Sequence, residues 1–189
     1  MKKSLFVSLS LIFIATSSYV VADNVIVKEV RNQAEHVLFE SAEEITNHSD
    51  LVIEAVATDK SENIIMNEYG FRDGRTNTEV LITNIIKDDH AVLKENQTLK
   101  VTEPYYRIDN GIQPGETIYF YDDYTPLQAG AEYILFLKYR EGSKSYWINS
   151  LNQGKFNIDE KDEMEEELNI NNEQYSELKV DVLETYDDN

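Results

Sequence analysis

The chain is predicted to be mainly β, a sandwich or barrel with flanking helices, on three observations. Short runs rich in Val, Ile, Tyr and Phe recur through its middle, Gly, Asn and Pro separate them at regular intervals, and sustained helical spacing is confined to the C-terminal end. The chain contains no cysteine, so neither disulfides nor thiolate metal sites can support it, and its apolar residues must build the core unaided.

The N-terminus reads as an address rather than as part of the fold. Lys2 and Lys3 precede an apolar stretch over residues 5–15, and Val20, Val21 and Ala22 form a small-residue exit, the pattern of a signal peptide over 1–22 cleaved between Ala22 and Asp23. Five Ser and Thr residues dilute the run below the roughly 20 apolar residues of a spanning helix. The expected product is secreted, extracellular and free of the membrane after cleavage.

Residues 23–40 form an N-terminal extension with alternating Val25 and Val27. Ser41 and Glu44 then stand at capping-box spacing and predict a short helix that ends at His48, Ser49 and Asp50. Residues 51–58 are apolar on both faces, as are residues 78–87, so both are predicted as strands inside a sheet. Between them a shorter strand is expected over 64–69, with Arg72, Asp73, Gly74 and Arg75 as a turn. Leu99 and Val101 alternate with Lys100 and Thr102 in a half-buried strand that stops at Pro104. Strands over 117–121, 132–139, 145–149 and 155–158 complete a barrel domain spanning 41–159. Asp159 to Glu167 is charged everywhere but at Met164, which predicts an acidic linker. Tyr175, Leu178, Val182 and Tyr186 then recur at helical spacing behind Asn171 or Asn172 as N-cap, so 160–189 is expected to be a linker followed by an amphipathic helix packed on the barrel.

Ser49-Asp50-Leu51-Val52, the strand 78–87, the segment from Leu127 through Gly130, Glu132 and Tyr133 to Leu137, and Gly154-Lys155-Phe156 can be taken together. They resemble secreted bacterial proteins whose core is similar to the OB-type barrel of tissue inhibitors of metalloproteinases and netrin modules. The resemblance implies a closed or partly open OB-like barrel with a short N-terminal helix and a C-terminal helix. Inhibitors of that family chelate a target zinc through an N-terminal cysteine. This chain has none, so that mechanism does not carry over.

Charge narrows function further. The formal charge of −19 repels phosphate backbones and anionic lipid, which argues against nucleic acid and membrane surfaces as partners. His36, His48 and His90 have no zinc-ligand spacing, and no serine-nucleophile elbow is present. No cofactor is expected, with calcium the exception to consider: Asp122 and Asp123 follow a strand, where loop carboxylates can coordinate a hard cation. Tyr105, Tyr106, Tyr119, Tyr121 and Tyr124 cluster beside them, and such rings can either grip a ligand or fill the rim of a small barrel. The function expected is a non-catalytic binding module for an extracellular or envelope ligand, the alternative being a secreted hydrolase with paired carboxylates.

Overall fold

The computed structural model describes residues 26–68 and 71–186, so the predicted leader and its cleavage site at Ala22 and Asp23 lie outside the described residues. The protein is mainly β, with a helix pair at its C-terminal end.

Two long strands dominate, β2 (Leu51–Glu68) and β3 (Phe71–Asp88), after a short strand β1 (Val27–Asn32) and helix α1 (Ala42–Asn47). The β2–β3 hairpin has two parts. Its base, near Leu51 and Asp88, belongs to the barrel, and its outer half, where Ser61 faces Thr78 and Glu68 faces Phe71, projects as an arm. Register shifts at Val52/Ile53, Glu54/Ala55 and between Ala57 and Ser61 bend β2 between these roles, as bulges do. The turn predicted at Arg72 to Arg75 is therefore strand, and the separate strand expected at 64–69 is, over its described residues 64–68, the continuation of β2. Ladder hydrogen bonds carry the backbone through both.

β4 (Thr98–Glu103), β7 (Glu132–Arg140) and β8 (Ser145–Ile148) complete the ring. Its order is β2-β3-β4-β8-β7, and β7 pairs back onto β2 from Leu51↔Leu137 to Val56↔Glu132. Every neighbouring pair is antiparallel except β4 and β8, which run parallel over Val101↔Tyr146 and Thr102↔Trp147. β9 (Lys155–Asn157), preceded by a 3-10 turn at Leu151–Gly154, adds to β7.

The alternation of side chains explains why β2 and β7 are apolar on both faces. Leu51, Ile53, Ala55, Tyr133, Leu135 and Leu137 point into the barrel core. Val52, Ile134 and Phe136 point outward under α1 and the helix α3 (Glu173–Tyr186), against Phe39, Ile45, Tyr175, Leu178 and Val182. The C-terminal helix thus packs on its own barrel at the predicted spacing, and Asn172 caps it by accepting from the Tyr175 amide at 3.0 Å. At α1, Ser41 Oγ accepts from the Glu44 amide, while the Glu44 carboxylate reaches the amide of Glu40 rather than that of Ser41.

The acidic linker is a helix instead. In α2 (Glu163–Asn171), Asp162 accepts from the amides of Met164 and Glu165, and acidic residues fill the first turn, where the helix dipole favours them. The remaining strands form a second sheet of order β1-β6-β5, with β5 (Tyr105–Asp109) starting directly after Pro104 and β6 (Glu116–Tyr121) at its centre. The strand at 117–121 therefore belongs to this smaller sheet and not to the ring. β5 leans on the arm: Asn63 donates to the Arg107 carbonyl and accepts from its amide, both at 2.8 Å, and Thr76 Oγ1 donates to the Tyr105 carbonyl. Gly74 is required where the two meet, since a Cβ there would stand 2.6 Å from the Tyr106 ring and 2.8 Å from the Ile64 carbonyl.

Candidate functional site

The five tyrosines divide between core, sheet contact and cleft, and do not form one open aromatic face. Tyr105 and Tyr124 are buried in the barrel core and stack with ring centroids 6.4 Å apart. Tyr106 is buried over Gly74 and stacks on half-buried Tyr119 at 4.9 Å. Tyr121 alone of the five lines a cleft, with its hydroxyl donating to Asp73. Burial raises the Tyr105 phenol to about 12, and burial followed by Asp73 holds that of Tyr121 well above the ordinary range, so both stay protonated.

Asp122 and Asp123 have separate partners. Asp122 Oδ2 accepts from the Ala34 amide at 3.1 Å and lies 3.6 Å from His36 Nδ1, whereas Asp123 Oδ1 accepts from Asn152 at 3.2 Å. No cluster of three metal-ligating side chains occurs among the described residues. These acids fasten the segment after β1 and the loop after β6.

Two buried polar groups hold the barrel and helices together. Glu103, fully buried, accepts from Thr78 Oγ1, from Tyr124 Oη at 2.7 Å and from the Leu127 amide at 2.8 Å. Desolvation still pushes its carboxyl above the ordinary value. Lys155, also fully buried, faces Asp162 at 3.3 Å and Glu165 at 3.6 Å, and Lys179 from α3 reaches Glu165 at 3.0 Å. Lys179 also reaches Glu166 at 3.3 Å, and Tyr133 donates to Asp162 at 2.8 Å. This cluster joins β9 to α2 and α3.

Asp122 and Asp123 line an open hollow of about 370 Å³ with Arg31, Asn32 and Gln33, and a second cleft, with a cavity volume of about 280 Å³, is more aromatic. One wall is the arm, through Met66, Asp73 and Gly74. Another is the β7–β8 hairpin, through Arg140, Trp147 and Ile148, and Glu35, His36 and Tyr121 close the side. Trp147 sits between buried Tyr146 and Ile148 on β8, so alternation turns its indole outward from the core. The Arg140 guanidinium lies 4.3 Å from its ring centroid and that of Arg75, on β3, 5.7 Å away. Trp147, Arg140 and Met66 were not among the residues singled out by sequence, and Arg75 was read only as part of a turn. The alternation of β8 was a usable signal for Trp147, whereas the arginines meet it from two other strands.

No protein-family model matches the chain, and no curated protein matches it.

Proposed function

We propose that the chain is a secreted, non-catalytic binding module built on an OB-type barrel, and that the cleft beside Trp147 is its ligand site. The observation that carries this is the position of the cleft in the ring. Barrels of the OB type are five-stranded Greek-key barrels that bind ligands between the loop joining strands one and two and the loop joining strands four and five. Numbered around this ring, the β2–β3 arm is the first connection and the β7–β8 hairpin the last, and the cleft lies between them. Its aromatic and apolar lining with a few polar groups is the usual make-up of a small-ligand site.

A hydrolase would need two acids converging on an accessible cavity. Glu103 has the raised carboxyl, but both its oxygens are engaged inside the core, so the binding reading is the better supported one. Calcium has no part in the proposal, because Asp122 and Asp123 are engaged by partners within the chain. Screening the ¹⁵N-labelled mature chain against mixtures of small polar aromatics, sugars and peptides tests it. Chemical-shift changes should concentrate at Tyr121, Arg140 and Trp147. Saturable changes confined to another surface would refute the assignment.

A further inference from the structure

We infer that the cleft selects a single carboxylate carried on a small apolar body, an inference that rests on the cleft being the ligand site. Two guanidiniums share one indole, and among the described residues neither Arg75 nor Arg140 makes an ion pair, in a chain with 36 acidic side chains. Arg31, by contrast, pairs with Glu29 and Arg107 with Glu116. A guanidinium stacked on a ring spends its face on the stack and keeps its N–H donors in the plane, free to fork a carboxylate. Arg140 lines the cleft itself, whereas Arg75, whose Nε is buried without a hydrogen-bond partner and whose Nη1 donates to the Met66 sulfur at 3.5 Å, adds its charge beside the same ring from outside the lining. Both guanidiniums carry positive charge at one ring, and an anion bound beside that ring offsets it.

The rest of the cleft defines the ligand's other end. Pro104, Ile148 and Leu151 offer apolar contact that a bare inorganic anion cannot use. Asp73 and Glu35 also line the cleft, Asp73 only two residues from Arg75 on β3, and with the net charge of −19 they repel polyanions. A volume of about 280 Å³ suits one or two side chains rather than a polymer. Two sources present this chemistry, a free organic acid and the C-terminal residue of a polypeptide.

Trp147 is the chain's single tryptophan, so its emission reports on the site directly. The mature chain would be titrated with N-acetylphenylalanine, its amide, a heptapeptide ending in free-carboxyl phenylalanine, and inorganic phosphate. The acid should bind about tenfold or more tighter than the amide, the loss expected for one charge-assisted hydrogen-bonded contact. Arg140→Gln should abolish that preference without moving the thermal midpoint, since Arg140 is exposed. Tighter binding of the peptide than of the single residue assigns the polypeptide source, and the reverse assigns the free acid. Equal binding of acid and amide, a preference that survives in Arg140→Gln, or phosphate binding as tightly as the acid would overturn the carboxylate assignment while leaving the cleft as a ligand site. If neither ring compound bound at millimolar concentration, the cleft itself would fall as the site.

Discussion

Glu103 receives three hydrogen bonds in a place where water cannot reach it, and its protonation therefore bears on stability. Its carboxyl is raised above the ordinary 4.5 by burial, so the stability it contributes is full below that pH and is lost as pH rises through the higher folded value. Asp50 and Asp88 act in the opposite sense. Burial lifts both, but Lys138 and the Tyr139 amide at Asp50, and the amides of Leu93, His90 and Val92 at Asp88, outweigh it and hold them below 3.8. Their contribution is present above that pH and is lost as pH falls through the lower folded values. In urea unfolding followed from pH 3 to 8, Glu103→Gln should flatten the decline above pH 4.5 and leave the acid limb unchanged. Glu103→Ala should cost about 3 kcal/mol at neutral pH by stranding three donors around a cavity. None of this is visible around Glu103 in the chain, because Thr78, Tyr124 and Leu127 reach it from other segments. Trp147 differs, since the alternation of its own strand already turns it outward.

Among the elements, the ring strands follow from local pattern, and the departures have physical causes that pattern does not record. Val52 is apolar on the outer face because helices cover it, and that double-faced character marked 51–58 as an interior strand; Ile134 on β7 lies under the same cover. β2 looked like two strands because its polar middle, from Thr58 to Asn63, interrupts the apolar run, yet pairing with β3 bridges the interruption. α2 looked like a linker because its run of charge has no apolar stripe. It is held instead by Asp162 at its cap and by Glu165 between two buried lysines. The dependence is testable: Lys155→Met should destabilise the protein by about 3–5 kcal/mol, the usual cost of stranding one side of a buried ion pair. Adding Asp162→Asn, which keeps a capping oxygen, should restore part of that loss in a double-mutant cycle. Additive losses from the two substitutions would show that Lys155 and Asp162 are not coupled.

For the whole molecule, charge and closure act together. Acidic side chains outnumber basic ones 36 to 17, so the folded chain repels itself, and salt should relieve that repulsion. Raising sodium chloride from 10 to 150 mM shortens the screening length from about 30 to about 8 Å and should raise the thermal midpoint by a few degrees. A midpoint that fell with salt would mean that local ion pairs such as Lys155 with Asp162 outweigh the global field. The class of fold and the position of the closing helix were legible in the sequence, because both depend on periodic burial. The cleft was not, because it exists only where the arm, the small sheet and the β7–β8 hairpin converge.

The closed ring also governs timing. Leu51 finds its partner at Leu137, and the outer face of the same strand is covered by residues as late as Val182. Little of the barrel can be completed while the chain is still being synthesised, because the strand that begins it needs almost the last helix to finish it. Closure of such a ring is therefore expected late in folding. For the secreted module proposed above, such late closure would leave the chain threadable during export.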